Sequence, residues 1–215
     1  MGFNSAFCEY PLQAAVKGDE EQAAEAYDSL QTDPELGDLV TTHGPLYLDP
    51  SDDLFRRLVH SVVGQQVSVA SASAIRRRLF DTVEVTPSGV LAADTQVLRD
   101  AGLSAMKAEY VTAVATVFDR EGYCKESLAT APNEEIVDTL TAIRGVGPWT
   151  AEMQLLFTFG RPDVLPVGDL GVRRGIERLL GADLTRTEMR TRAEQWAPYR
   201  SYASLYLWRT VDGEE

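Results

Sequence analysis

The sequence predicts an all-α protein, and three observations carry that expectation. Apolar residues recur at helical spacing in several separate stretches, glycine- and proline-rich breaks divide those stretches, and alternating strand patterns are nearly absent. With 215 residues, 44% hydrophobic and 25% charged, the chain is long enough for one or two small domains with a true core.

The elements follow in chain order. After the breaks Thr41-Thr-His-Gly-Pro45 and Asp49-Pro-Ser-Asp52, the residues Leu54, Leu58 and Val62 form a first apolar face. Val69, Ala72, Ile75 and Leu79 form a second, which ends before Thr86-Pro-Ser-Gly89. Tyr110, Val111, Val114, Val117 and Phe118 form a third, closed by Ala131-Pro-Asn133. Ile176, Leu179 and Leu180 mark a helix that stops at Gly181. Only Pro45-Leu-Tyr-Leu48 has an extended look, and Ala101-Gly-Leu-Ser-Ala-Met-Lys107 reads as a degenerate hairpin. No repeat of fixed period and no low-complexity tract is visible.

Residues 133 to 153 read as a helical hairpin. Asn133 suits an N-cap, Glu134 and Glu135 suit a first turn, and Ile136, Val137, Leu140 and Ile143 give an apolar face that runs to about Ile143. Gly145 and Gly147 flank Val146, where the chain can take positive φ and approach a ligand with no Cβ in the way. Pro148 suits the first position of the next helix, whose unserved amides and dipole favour an anion without any lysine. A DNA phosphate is the obvious anion for such a loop; the alternative is a tight αα-hairpin that only packs. About one helix further on, Asp169 stands between Gly168 and Leu170-Gly171, placed to cap a helix from Leu170 to Leu180. Capping would also fix the orientation of its carboxylate.

Leu140 to Ala151, together with Pro166-Val-Gly-Asp-Leu-Gly-Val-Arg173, resembles the helix-hairpin-helix DNA glycosylase superfamily, which keeps its catalytic aspartate at the position of Asp169. Ser61-Val-Val-Gly-Gln-Gln-Val-Ser68 is similar to the segment that the 3-methyladenine DNA glycosylase II branch inserts into the duplex, and Trp196 to Trp208 is similar to that branch's last helix. Roughly residues 30 to 210 are covered in the right order. The resemblance implies two helical lobes with the active site in an interlobe cleft. Residues 52–160 would form the central lobe and 161–215 the C-terminal one, while 1–51 would return to pack with the latter. The relatives' additional β-rich N-terminal domain has little room here, so the chain looks like the compact form.

The same resemblance implies roles. Asp169 would be catalytic, Trp149, Trp208, Met153 and Tyr202 would hold the extruded base, and the duplex plug falls near Gln66. DNA contacts are implied for Gln65, Gln66, Ser68, Arg144, Gly145, Val146, Gly147, Thr150 and Arg173. Gln65 and Gln66 can equally cap or bridge helices, the two tryptophans can be core aromatics, and Met153 replaces an aromatic of the bacterial relatives. Bifunctional members place a lysine where Trp149 stands, and tryptophan cannot form a Schiff base with the sugar. The expected enzyme is therefore monofunctional: it flips an alkylated purine out of double-stranded DNA and hydrolyses the N-glycosidic bond. A purine methylated on a ring nitrogen is already cationic and leaves well, and an indole face attracts it by about 0.5–2 kcal/mol. The alternatives are a glycosylase for oxidised or mismatched bases and a non-catalytic DNA-binding module.

Composition adds limits. The chain has only Cys8 and Cys124, which excludes a disulfide framework and a four-cysteine zinc or iron–sulfur site such as the branches resembling endonuclease III carry. His43 and His60 look uninvolved. No cofactor is expected beyond a structural Na⁺ or K⁺ on the backbone carbonyls of Ile143 and Val146, which the resemblance implies. Met1-Gly-Phe-Asn-Ser lacks the regions of a signal peptide and no apolar run of about 18 residues occurs, so a cytoplasmic monomer without membrane contact is expected. The net charge of −13 conflicts with a basic DNA footprint. Residues 1–60 hold 12 acidic and 3 basic side chains, whereas residues 140–215 hold 10 of each, so the excess lies mostly away from the hairpin. Arg76, Arg77, Arg78, Arg173, Arg174 and Arg178 can still form a local positive face. The remaining acidity resembles proteins of a salt-rich cytoplasm, where screening shortens repulsion.

Overall fold

A computed structural model describes residues 20–211, leaving Cys8 and the N-terminal part of the 1–51 segment outside the described residues. Among the described residues there are helices and connecting turns but no strand, as an all-α protein requires. The chain divides into two compact units, Ser51–Phe159 and a second one formed by 20–50 together with 160–211.

The second unit opens with α1 (Glu20–Leu30) and α2 (Gly37–His43). The Pro45 to Leu48 stretch that follows is irregular rather than a strand, with Leu48 buried. The first unit then holds α3 (Leu54–Gly64), α4 (Val69–Thr82), α5 (Pro87–Ala92), α6 (Thr95–Asp100), α7 (Ala105–Glu121), α8 (Lys125–Leu128), α9 (Asn133–Thr141) and α10 (Pro148–Phe157). The second unit resumes with α11 (Leu170–Leu180), α12 (Arg186–Arg192), a 3₁₀ turn (Ala193–Trp196) and α13 (Arg200–Arg209).

In the first unit α3 is central, packed against α4, α7 and α10. Its Leu54, Leu58 and Val62 are buried as the periodicity predicts, joined by Phe55, Val59 and Val63. Phe55 meets Phe118 of α7 with ring centroids 5.4 Å apart. A polar ladder crosses from α3 to α10: Gln154 Nε2 donates to Ser61 Oγ at 3.0 Å, and Thr158 donates to Gln154 Oε1 at 3.0 Å. All three side chains are buried, and the ladder satisfies groups that would otherwise cost stability.

Two expectations need correction. Asn133 is the first residue of α9, and Pro132 is the N-cap, with its carbonyl accepting the Ile136 amide at 3.1 Å. A proline has no amide to lose and already holds the extended conformation that a cap requires. Likewise, Trp196 to Trp208 is not one helix. Trp196 closes the 3₁₀ turn, Pro198 breaks the chain, and α13 starts only at Arg200.

His60 lies on α3 against basic side chains. Burial first, then the charges of Arg57, Arg76 and Arg56, lower its pKa from 6.5 to about 2. The Arg76 guanidinium donates to the imidazole, which accepts only while neutral. The unfolded chain takes up a proton below about pH 6.5, whereas the folded one resists it almost to pH 2, so this contribution to stability is complete above 6.5 and is lost as pH falls. We expect His60→Gln to flatten the acid limb of urea-unfolding stability between pH 6 and 5, removing a slope of up to about 1.4 kcal/mol per pH unit. An unchanged limb would mean that the imidazole is charged in the native state.

Candidate active site

In the second unit, the residues before α11 form a tight turn: the Asp169 amide donates to the Pro166 carbonyl at 2.8 Å and the Val167 amide to that of Leu165 at 2.9 Å. Asp169 itself is the N-cap, with extended φ −74° and ψ 133°. Its Oδ1 accepts the Val172 amide at 3.0 Å and the Trp208 indole N–H at 2.8 Å, and the residue is only 4% exposed. Two charge-assisted bonds on one oxygen fix the carboxylate's plane and position. The expected cap and the expected catalytic carboxylate are thus one well-held group.

Two neighbours make that geometry possible. A Cβ at Gly171 would lie 2.7 Å from Trp208 Cδ1 and 3.1 Å from Asp169 Oδ1, so only glycine lets the indole reach across. Gly175, one turn on, meets the backbone of α13, where a Cβ would stand 2.6 Å from the Leu207 carbonyl oxygen. The Gly171-x-x-x-Gly175 spacing is the sequence signal for this close approach of α11 and α13. Arg173 braces this turn. Its Nη1 donates to the carbonyls of Val167 (3.1 Å), Gly168 (2.8 Å) and Asp169 (3.3 Å), so the cation holds the turn carrying Asp169.

Of the expected base-holding residues, Trp149 and Met153 belong to the first unit and Tyr202 and Trp208 to the second. Met153 is 0% exposed on α10 and Tyr202 is 2% exposed on α13 with its hydroxyl donating to Gln22 at 3.2 Å. Both side chains are buried. Trp208 is 8% exposed, and its indole edge is engaged by Asp169. Trp149, the second residue of α10, is half-buried.

In the first unit, the hairpin has the expected form. Gly145 takes φ +92°, and a Cβ there would run into the Tyr110 ring. Gly147 caps α10 with φ −96° and open space around its Cα, so the left-handed freedom expected of both glycines is used only at Gly145. Val146 and Ile143 are buried, with the Val146 amide donating to the Ile143 carbonyl at 3.0 Å. Pro148 is the first residue of α10, and first-turn amides have no partner inside a helix. Arg144 is exposed and pairs with Glu109 at 2.7 Å, a surface bridge that a phosphate can displace at little cost.

Gln65 Nε2 donates to the Gly145 carbonyl at 3.0 Å and to Thr150 Oγ1 at 3.2 Å, with Thr150 buried. The bridging role thus holds for Gln65, and the Thr150 hydroxyl faces Gln65 as its acceptor. Gln66 is exposed with φ +56°, and Ser68 caps α4 by accepting the Ser71 amide at 3.2 Å. Sequence reasoning missed Tyr110, which seals Gly145, and Lys107, whose Nζ donates to the Val63 carbonyl at 2.6 Å. Burial pushes the Lys107 pKa below its usual value. Nothing in a lone lysine amid Ala-Met-Lys-Ala signals burial.

Among the described residues, no cluster of three or more His, Cys, Asp or Glu side chains can hold a metal, and no helix is long and apolar enough to cross a membrane.

Comparison with known proteins places this arrangement. A DNA-3-methyladenine glycosylase of Schizosaccharomyces pombe is 33% identical over 164 residues, covering 73% of this chain and 72% of that protein. A Bacillus subtilis protein assigned by name alone to the DNA-3-methyladenine glycosylases is 31% identical over 179 residues, which span 78% of this chain but only 62% of that longer protein. Among solved structures, the S. pombe 3-methyladenine DNA glycosylase in complex with abasic DNA superimposes with a TM-score of 0.77 at 30% identity, covering 86% of this chain and 96% of that one. Residues 59–201 match the model of the HhH-GPD superfamily of base excision DNA repair proteins, and the chain belongs to that family.

Proposed function

We propose that the chain is a monofunctional DNA glycosylase that releases alkylated purines of the 3-methyladenine type from double-stranded DNA. The observation that carries this reading is the Asp169 carboxylate, buried and held on one oxygen by Trp208 and by the first turn of α11. In the reaction the bond between C1′ and the base nitrogen breaks, its electron pair leaves with the base, and the sugar becomes cationic. Asp169 stabilises that charge and takes the proton of the water that adds to C1′. A base that carries a positive charge leaves as a neutral molecule, so a second carboxyl group is not needed. The S. pombe relative, named for 3-methyladenine and solved on abasic DNA, supports both the substrate class and the product.

Three finer points belong to the same reading. Trp149 stands where bifunctional relatives carry a lysine, so the sugar–phosphate backbone is left intact. The protein works as a cytoplasmic monomer with no catalytic cofactor. The turn from Ile143 to Val146 suits a Na⁺ or K⁺ on its carbonyls, with Ile143 using the lone pair left beside its bond to the Val146 amide. Such an ion would supply positive charge beside the DNA phosphate.

The test is incubation with methylated duplex DNA and chromatography of the bases set free. We expect 3-methyladenine with no strand scission before alkali or heat. Absence of any released base overturns the reading, and spontaneous scission overturns its monofunctional part.

A further inference from the structure

We propose that Gln65 is a positioning residue that locks the α3–α4 turn to the helical hairpin, so that phosphate capture and duplex distortion occur in one rigid register. The inference rests on the glycosylase reading and assigns a task to this side chain within it.

The turn is unusual in what it sustains. Gln66 is exposed and sits at φ +56°, in the left-handed region that residues with a Cβ disfavour. Such a conformation persists only when its surroundings impose it, and three ties do so here. Lys107 Nζ holds the Val63 carbonyl at the end of α3, Ser68 caps α4, and between them Gln65 commits both amide hydrogens, to the Gly145 carbonyl and to Thr150 Oγ1. The last tie spans 80 residues of sequence and lands on the one hairpin residue that needs positive φ.

The acceptors reach further into the fold. Gly145 lies against the Tyr110 ring, and Tyr110 shares α7 with Lys107, so one helix supports both the turn and the hairpin. The Thr150 carbonyl accepts Gln154 Nε2 at 3.3 Å, and Gln154 is tied to Ser61 on α3. The neighbouring side chains therefore divide the work: Gln66 is offered to solvent and Gln65 is spent on geometry. A side chain meant only to fill space needs no donors, whereas this one uses both.

Gln65→Met keeps the length and removes both donors without adding charge. Four measurements are made on it: thermal unfolding, affinity for unmodified duplex, fluorescence of 2-aminopurine beside an abasic analogue, and single-turnover base release. We expect unfolding and plain-duplex affinity to stay close to wild type, while the fluorescence rise is lost and base release slows at least about tenfold. Combined with Gln66→Ala, the slowing is no greater than that of the worse single variant, because a residue acting through Gln66 has nothing left to position. Base release within about twofold of wild type, or effects that multiply, overturns the inference alone. If Gln65→Met does not fold, Thr150→Val removes one of the two acceptors and is held to the same criteria. Wild-type protein that neither releases base nor raises the fluorescence overturns the glycosylase reading and this inference together.

Discussion

Asp169→Asn is expected to slow release of 3-methyladenine by about 10³-fold while leaving affinity for abasic-site DNA and thermal stability nearly unchanged. The variant isolates charge from shape. Asparagine caps helices as well as aspartate does, and its carbonyl oxygen can still accept the Val172 amide and the Trp208 indole N–H. What disappears is the negative charge that opposes the developing cation on the sugar, together with the base that takes up water's proton. A loss of activity accompanied by loss of DNA binding would point to misfolding. Unchanged base release would show that the carboxylate is only a cap and that the chain carries its chemistry elsewhere. Single-turnover rates with enzyme in excess are the right measure, since slow product release can otherwise hide a change in the chemical step.

The parts of the site that could be read from the sequence are those with a local physical cause. Gly145 needs positive φ, Pro148 suits a first helical position, and Asp169 before Leu170-Gly171 caps a helix; each is a statement about a few adjacent residues, and each appears in the structure. The buried residues Leu54, Leu58 and Val62 of α3, Ala72, Ile75 and Leu79 of α4, and Val111, Val114 and Phe118 of α7 were legible for the same reason. What stays hidden in the sequence depends on which other groups arrive at a side chain. The depth at which Met153 and Tyr202 are buried is set by packing partners that their own helices do not name. That Arg173 braces the turn shows only once the Val167, Gly168 and Asp169 carbonyls are seen to converge on it. Lys107, Tyr110 and the two acceptors of Gln65 are long-range partners, and no spacing rule reaches them. Asn133 was misplaced by one residue because Pro132 provides the extended backbone of a cap without a capping side chain.

Gly171→Ala tests whether the carboxylate's position, as distinct from its charge, limits the reaction. On propensity alone the change should help, since alanine stabilises a helix by about 1 kcal/mol over glycine. The added methyl, however, would lie 2.7 Å from Trp208 Cδ1, 3.0 Å from Nε1 and 3.1 Å from Asp169 Oδ1. Neither indole atom is the end of a flexible chain. The indole is 8% exposed and wedged between α11 and α13, and overpacking of this kind costs about 1–3 kcal/mol, enough to outweigh the gain in propensity. The cheapest relief is for Trp208 to swing away from the carboxylate, which breaks the 2.8 Å bond and frees Asp169 to turn about its side-chain torsions. A displacement of about 1 Å at a reacting group costs on the order of 10²-fold in rate. We therefore expect a melting temperature lowered by a few degrees, base release slowed by about 10²-fold, and quenched tryptophan fluorescence altered as the indole leaves its partner. A variant that melts above wild type and releases base at the wild-type rate would show that Trp208 does not hold the carboxylate in solution. Its role would then return to packing, and the Val172 amide would still orient Asp169.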